Sequence, residues 1–323
     1  MRPYLFSIPL LLVACGGDGS GSESPIDGPI DGRTDLPIDA PATTDAAPEP
    51  EPPWDTRPPL TNGAWVRVRN RCSFPLWIHS AGSSGVLQPD DVRLAPGESR
   101  DYEAPANWSA ARVTAYGDGP RTGELEKAEM TLSASGNLVS LNYNITYVDW
   151  VGLPLRVAGA GGECSDAQHA VSCNVPQAEV LSGCPSQLRA GDICLSPRSY
   201  CLNPVNQGQP FCHSLDGEIA RCVSTIAGCA QHNGATTPEV FACSGSFANA
   251  PRLCAALNRH MLDAPDDPDP SHWYATAPYN TYSKWVHEVC PGIYAFSYDD
   301  WLEQGGFRSC RGTELRITFC PAG

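Results

Sequence analysis

Fourteen of the fifteen cysteines in this 323-residue chain lie between Cys72 and Cys320, and they constrain the fold more than any other feature. None of them forms a C-x-x-C pair, and their spacings are unlike those of zinc modules. In an exported chain an even set of this kind is typical of a disulfide framework, here of up to seven bridges. We therefore expect neither a metal centre nor a cofactor, and spacing alone leaves the connectivity open.

The N-terminus predicts export. Residues 1–14 carry one positive charge, at Arg2, followed by an apolar run that is too short to span a bilayer and is typical of a secretory signal peptide. The run ends in Leu-Val-Ala-Cys, which resembles the bacterial lipobox, in which cleavage exposes the cysteine for lipidation. We expect a lipid on Cys15 and an exported, lipid-anchored protein at the outer membrane or cell surface. The alternative is a simple signal peptide followed by an incidental cysteine.

Residues 15–60 are rich in Pro, Asp, Gly, Ala and Thr and contain a degenerate repeat, "PIDGPIDG". Such a composition buries too little apolar surface to fold, so it predicts a disordered tether. Residues 16–60 contain ten acidic and two basic side chains, a net charge of −8 out of −15 for the whole chain. This acidity argues against a nucleic-acid partner, and it leaves the lipid anchor as the expected contact with a membrane.

Residues 61–323 are long enough for one substantial domain or two closely joined lobes, and we expect a monomer. Between 61 and 157 short β-rich stretches with alternating apolar residues are separated by turn sequences, a pattern typical of a β-sandwich. The predicted strands are 64–70, 75–80, 111–117, 129–133 and 138–148.

Residues 158–290 hold most of the cysteines, and they predict a disulfide-rich lobe with three short helices. The three helices are expected at 217–229, 250–261 and 282–290. Residues 291–323 return to the β-sandwich. The alternation of Tyr294, Phe296 and Tyr298 predicts a strand there, and "ELRITFC" predicts another at 314–320.

Several stretches of residues 63–323 resemble the thaumatin-like proteins in sequence and in order. "KAEMTL" resembles the family's "LAEFTL", and "YNITYVDWVGLPLRV" resembles "YDVSLVDGFNLPM". "YSKWVHEVCPGIYAFSYDD" resembles "YSxxFKxxCPDAYSYAxDD", and "LRITFCPAG" resembles the C-terminal "YRVTFCP". Residues 200–275 match poorly and are longer than usual.

The resemblance implies a mainly β fold, a flattened thaumatin-like β-sandwich with a disulfide-rich loop and helix lobe packed against it. It also implies an acidic cleft that binds β-1,3-glucans and, in some members, hydrolyses them weakly. The family lines this cleft with one Arg, one Glu and three Asp. The corresponding positions here are Arg112, Glu129, Asn144, Asp149 and Asp299.

Hydrolysis of a glycoside needs two carboxyl groups that flank the bond, roughly 5–5.5 Å apart for retention and about 6.5–9.5 Å for inversion. Glu129, Asp149 and Asp299 are the catalytic candidates, with Glu129 as the acid. Arg112 would hold a carboxylate ionised and bind sugar hydroxyls. Asn144 replaces a family aspartate; an amide binds hydroxyls but is neither a general base nor a nucleophile.

Two tryptophans that follow cleft aspartates closely, Trp150 and Trp301, are the expected surfaces for stacking of sugar rings. Asp300 is expected to be a solvated or structural neighbour of Asp299.

The resemblance also implies cysteine partners. The implied pairs are Cys72–Cys320, Cys164–Cys310, Cys173–Cys290 and Cys184–Cys194. It implies no partners for the remaining cysteines, which are Cys201, Cys212, Cys222, Cys229, Cys243 and Cys254.

Three hypotheses follow for the function. The first is a surface-anchored lipoprotein that binds β-1,3-glucan or a related polysaccharide through the acidic cleft. The second is a weak endo-β-1,3-glucanase that uses Glu129 with Asp149 or Asp299. The third is a structural or protein-interaction lipoprotein whose cleft has no role in glycan binding.

Overall fold

Two large β-sheets form a sandwich in the computed structural model, which describes residues 52–276, 278–301 and 306–321. Their strands and those of a third, small sheet are β1 (Gly63–Asn70), β2 (Leu76–Ala81), β3 (Val92–Leu94), β4 (Ser99–Pro105), β5 (Trp108–Gly119), β6 (Thr122–Ser135), β7 (Leu138–Ile145), β8 (Trp150–Val151), β9 (Leu155–Ala160), β10 (Ala170–Cys173), β11 (Arg189–Ala190), β12 (Ile193–Leu195), β13 (Arg308–Gly312) and β14 (Glu314–Phe319).

One sheet has five strands in the order β10-β9-β14-β1-β4, and the other has six in the order β13-β7-β6-β5-β2-β3. The small sheet has the order β11-β12-β8. Neighbouring strands are antiparallel except β1 and β14, which run parallel. The mainly β sandwich that the sequence predicts is therefore confirmed.

The alternation of apolar side chains explains how the sheets pack. Val66 and Val68 of β1 and Ala128, Met130 and Leu132 of β6 are buried in one hydrophobic core. Because side chains alternate along a strand, the residues between them point to the outer faces of the sandwich. These outer faces carry the charged groups described below.

A helical lobe lies between β9 and β13 in the sequence. The α-helices are α1 (Asp166–His169), α2 (Gln177–Gly183), α3 (Pro197–Leu202), α4 (Asp216–Thr225), α5 (Thr237–Ala242), α6 (Pro251–Arg259) and α7 (Thr281–Val289). Short 3-10 helices are found at Ser186–Leu188, Pro210–His213, Ala230–His232, Gly245–Asn249 and Pro270–His272. The three predicted helices correspond to α4, α6 and α7. In the described part of the chain, no helix has the length and apolar character that a bilayer crossing requires.

All fourteen cysteines from Cys72 onward are paired. Four pairs are those that the resemblance implies, namely Cys72–Cys320, Cys164–Cys310, Cys173–Cys290 and Cys184–Cys194. The other pairs are Cys201–Cys212, Cys222–Cys229 and Cys243–Cys254. These last three close short loops within the lobe, so they support its helices locally, where long apolar runs are lacking.

The strand predicted in 292–301 is wrong, because this stretch folds as a series of turns. Its conformation is held by Asp299, which is only 2% exposed. One carboxylate oxygen of Asp299 accepts from Arg259 at 3.0 Å. The other lies 2.7 Å from His287 Nε2 and accepts from the backbone N–H of Ala295 at 2.7 Å. The aromatic alternation in this stretch therefore serves packing rather than strand pairing.

The folded part begins before residue 61, where the sequence analysis placed its start. Residues 52–58, called here the N-terminal segment, lie on the outer face of the five-stranded sheet. The guanidinium of Arg69 stacks on the ring of Trp54, 3.7 Å from its centroid, with those of Arg67 and Arg316 at 5.0 and 5.8 Å. The predicted signal peptide, Cys15 and the first part of the predicted tether, up to residue 51, lie outside the described residues.

Ion pairs add to this contact. Asp55 pairs with the buried Arg67, and Arg57 Nε lies 2.8 Å from an oxygen of Asp101, which in turn pairs with Arg67 at 2.9 Å. Removal of the N-terminal segment would leave the Arg67 guanidinium with fewer partners and expose it to water. The Pro- and Asp-rich composition of this segment conceals its role as part of the domain.

We expect Trp54→Ala to lower the free energy of unfolding by about 2 kcal/mol, because it removes aromatic burial and the stacking of Arg69. Urea unfolding followed by circular dichroism measures the change. Val205→Ala is the control, since Val205 is 83% exposed and its loss should change little. Equal stability of the Trp54→Ala variant and the wild type would show that the N-terminal segment contributes nothing to the fold.

We expect Asp299→Asn to destabilise the protein by about 3 kcal/mol at neutral pH, because it leaves the buried Arg259 without its counter-ion. Burial would raise the pKa of Asp299, but His287 and Arg259 outweigh it and lower the pKa. The pairing therefore stabilises the fold above the pKa of an unfolded aspartate, about 3.9, and its contribution is lost as the pH falls through the folded pKa.

The difference in stability between wild type and Asp299→Asn should thus shrink in urea titrations below about pH 4. The neighbouring Asp300→Asn, at an exposed carboxylate, is the matched control and should remain close to wild type. A gap that stays constant between pH 6 and pH 3 would contradict the assignment of the stabilisation to an ionised Asp299.

Candidate functional site

Three of the predicted cleft residues form a row across neighbouring strands of the six-stranded sheet. Arg112 of β5 pairs in register with Glu129 of β6, and Glu129 pairs with Asn144 of β7. Paired strands lie about 4.8 Å apart, so the three side chains are lateral neighbours. They occupy the outer face, because Ala128 and Met130, on either side of Glu129, point into the core.

The members of this row differ in what they contact. The guanidinium of Arg112 is exposed and pairs with no described residue. The side chain of Glu129 is 40% exposed, and one of its oxygens lies 3.2 Å from Lys127 Nζ. Asn144 is half-buried, and its side-chain oxygen accepts from no described residue. The row therefore leaves a cation and a carboxylate oxygen available to a polar ligand, beside an amide whose oxygen is buried without a partner among the described residues.

Lys127, which the sequence analysis did not single out, lies at the centre of the site. It is 6% exposed and lies on the same face of β6 as Glu129, two residues away. Its ammonium pairs with both Glu129 and Asp149 and lies 5.1 Å from the centroid of the Trp150 ring. The family sequence "LAEF" has leucine where this chain has Lys127, so this ammonium is a departure from the pattern.

Asp149 is the fourth predicted residue that reaches this site. It follows β7, and its two oxygens contact Lys127 and Arg198 of α3. Burial would raise the pKa of Asp149, but the charges of Lys127 and Arg198 outweigh it and lower the pKa. Burial would likewise lower the pKa of Lys127, but Glu129 and Asp149 outweigh it and raise it. Asp149 is thus a paired carboxylate, unsuited to act as a general acid at neutral pH.

Asp299 does not fit the catalytic role expected of it, because its carboxylate is enclosed by Arg259, His287 and the N–H of Ala295. Its neighbour Asp300 is exposed, and its charge helps to raise the pKa of the Tyr294 hydroxyl. Asp299 is therefore a structural residue, and Asp300 is the solvent-exposed member of the pair.

Tyr294 connects Asp300 to the site. The carbonyl of Tyr294 accepts from the N–H of Tyr147 at 2.7 Å, just beyond the end of β7. Burial, followed by the charge of Asp300, raises the pKa of the Tyr294 hydroxyl, and Glu129 lies near enough to add to this effect. The turn that carries Tyr294 and Asp300 thus lies beside the row of strand residues.

The two tryptophans differ in position. The indole of Trp150, in β8, lies against the Lys127 ammonium, and its N–H donates to no described residue. Trp301 is half-buried and packs against the hydrophobic core, and its carbonyl accepts from Arg259 at 3.3 Å. The placement of Trp301 favours a packing role over the stacking role expected from sequence.

A second residue that sequence reasoning missed is Glu126, which is fully buried. Its carboxyl group accepts from the N–H groups of Gly152 and Leu153 at 3.3 Å, which fixes the loop after Trp150. Burial raises the pKa of Glu126 to about 8, although these N–H groups oppose the rise. The sequence contains an indication of this burial. Successive residues of a strand face opposite sides of the sheet, so either Glu126 or Lys127 must point inward.

Among the described residues, the group of side chains that could hold a metal ion lies outside this site and consists of His79, Asp90 and Asp91. His79 Nδ1 lies 2.8 Å from an oxygen of Asp90, and Arg121 Nη2 lies 3.0 Å from each of the two carboxylates. Arg121 already supplies the positive charge that a bound cation would supply there.

The sequence of this chain is similar to those of known proteins. The model of glycoside hydrolase family 64, described as β-1,3-glucanase, matches residues 216–310. The chain is 22% identical over 292 residues to thaumatin-like protein 1 of Arabidopsis thaliana, which covers 81% of this chain and 88% of the relative.

Two solved structures have a similar fold. A family 64 β-1,3-glucanase domain from Clostridium beijerinckii superimposes with a TM-score of 0.61 at 17% identity, over 82% of this chain and 100% of that domain. A laminaripentaose-producing family 64 β-1,3-glucanase from Paenibacillus barengoltzii, solved with laminarihexaose, gives a TM-score of 0.57 at 17% identity, over 81% of this chain and 76% of that one. The resemblance of this chain to the thaumatin-like proteins is thus confirmed, and its fold is the one that these family 64 structures share.

Proposed function

We propose that this protein binds β-1,3-glucan or a related polysaccharide at the row formed by Arg112, Glu129 and Asn144. The row supports this proposal because it offers an exposed guanidinium, a carboxylate and an amide side by side. These groups donate to and accept from sugar hydroxyls. The similar structure that was solved with laminarihexaose supports the same class of ligand.

One observation favours binding over hydrolysis: the ammonium of Lys127 bridges Glu129 and Asp149. Glycoside hydrolysis needs one protonated and one ionised carboxyl group with the sugar bond between them. Here the space between the two carboxylates is taken by a cation, and an ion-paired carboxylate has no proton to donate. Asn144 supplies no carboxylate in compensation.

The site is also less acidic than the family pattern implies. Arg112, Lys127 and Arg198 bring three positive charges beside the carboxylates of Glu129 and Asp149. A surface whose charges are balanced suits sugar hydroxyls, because an uncharged hydroxyl is bound by hydrogen bonds and not by the electrostatic field of a net charge.

Hydrolysis of β-1,3-glucan is the second candidate function, and the fold shared with family 64 β-1,3-glucanases favours it. In that case Glu129, whose carboxyl group is more exposed than that of Asp149, would be the general acid. A structural or protein-interaction role is the third candidate, and it requires that no glucan is bound.

Export and lipid anchoring through Cys15 complete the proposal. The seven disulfides are consistent with an oxidising compartment, which lies outside the cytoplasm. A polysaccharide partner at the outer membrane or cell surface would then be within reach.

We expect the wild type to be retained on insoluble β-1,3-glucan and Glu129→Gln to bind about tenfold more weakly, because it loses a charge-assisted hydrogen bond to a sugar hydroxyl. Depletion from solution against glucan concentration measures both affinities. Glu103→Gln, at an exposed position of β4 outside the site, is the matched control. Equal retention of wild type and a preparation with scrambled disulfides would leave only the structural or protein-interaction role.

We expect the wild type to release reducing ends from soluble β-1,3-glucan no faster than Glu129→Gln. A positioned general acid contributes about 10²–10⁴ in rate, so turnover through Glu129 would be lost almost completely in this variant. A reducing-sugar assay measures both proteins. Wild-type activity that disappears in Glu129→Gln would establish the hydrolase instead, whereas activity that persists in the variant would show that Glu129 is not the acid.

A further inference from the structure

The surroundings of Lys127 have the composition of a binding site for a primary ammonium group. Glu129 Oε1 lies 3.2 Å from Lys127 Nζ, Asp149 contacts it, and the centroid of the Trp150 ring lies 5.1 Å away. An ammonium has three N–H donors, and two carboxylates with an aromatic face are partners that suit it. We call the side chains of Glu129, Asp149 and Trp150 the Lys127 cage.

The cage is filled by the chain itself. Lys127 is 6% exposed, so its ammonium is enclosed rather than extended into solvent. The chain has only two lysines, and the other, Lys284, lies on α7 in a surface pair with Glu288 at 3.5 Å. One of the two lysines is thus buried between two carboxylates, and this arrangement is a specific feature of the site.

The charges around the cage disfavour a second cation. Arg198 contacts the other oxygen of Asp149, and Arg112 lies beside Glu129 in register. With Lys127 in place, three cations face these two carboxylates. An ammonium on a ligand would have to share carboxylates that already have partners, and like charges in close contact cost affinity.

We propose that Lys127 is a specificity-determining residue that excludes amino sugars from the site. A sugar hydroxyl can donate to the free oxygen of Glu129 and accept from Arg112 without displacing Lys127. An amine at the same place carries a charge near neutral pH and competes with Lys127 for the same carboxylates. This inference rests on the proposed binding of glucan at this site and names what that site rejects.

The test compares the full-length wild type with Lys127→Met, using three polymers that share one backbone. They are soluble β-1,3-glucan, the same glucan with some hydroxyls replaced by primary amines, and the aminated glucan after N-acetylation, which removes the charge. The wild type should bind the aminated form at least about tenfold more weakly than the other two. Lys127→Met should bind all three with similar affinity.

Lys284→Met is the matched control, because it has the same net charge as Lys127→Met. The protein carries a formal charge of −15, which attracts any polyamine without specificity. The control shares this attraction, so it should discriminate as the wild type does. Titrations at 0.15 M and 0.5 M salt separate the two effects, since the attraction by distant charges is screened.

A second measurement keeps the inference testable if Lys127→Met does not fold. With two lysines, the side-chain ammonium spectrum of ¹⁵N-lysine-labelled wild type has two signals. A neutral β-1,3-glucose oligomer should shift the Lys127 signal and leave the Lys284 signal in place, and the aminated oligomer at equal concentration should shift neither.

Equal binding of neutral and aminated glucan by the wild type would overturn the inference, as would discrimination that persists in folded Lys127→Met. Equal shifts of the Lys127 signal by both oligomers would overturn it too. These outcomes leave the proposed function intact. Absence of any binding to neutral glucan, by contrast, removes the proposed function and the inference with it.

Discussion

The parallel pairing of β1 with β14 is the interaction on which the rest of the structure depends. These strands come from the two ends of the folded chain, yet they lie side by side inside the five-stranded sheet. The disulfide Cys72–Cys320 joins their ends across a sequence separation of 248 residues. Closing so long a loop removes much of the entropy of the unfolded chain. The other sheet and the helical lobe therefore lie within the stretch of chain that this disulfide closes.

The parts of the site that could be predicted are those that depend on strand register. Alternating residues place the sheet faces, and the resemblance identifies Arg112, Glu129 and Asn144, which the structure brings into one row. A slip of one residue in β6 would turn Glu129 into the core and Ala128 out of it, so burial specifies this row strongly. The sandwich and the lobe were accessible from patterns along the chain, whereas the four disulfide pairs were accessible only from the resemblance.

The parts that could not be predicted depend on single contacts between residues far apart in sequence. Nothing in the sequence near Asp299 shows that its carboxylate will pair with Arg259. The roles of Asp299 and Asp300 therefore could not be assigned by counting residues from a cysteine. Lys127 stands at a leucine position of the family pattern, and its significance appears only once Asp149 is seen to reach it. Trp54 lies in a stretch whose composition is that of a tether, and only the arginines of the sheet give it a partner.

The position of the N-terminal segment has a consequence for access by a long polymer. Residues 52–58 cover the outer face of the five-stranded sheet, through Trp54 and its arginines, whereas Glu129 lies on the outer face of the six-stranded sheet. The N-terminal segment thus lies on one outer face of the sandwich, and the row that contains Glu129 lies on the opposite outer face. A polysaccharide bound along this row, as proposed, would not meet residues 52–58. Residues 52–58 would therefore set no limit on the length of that polymer.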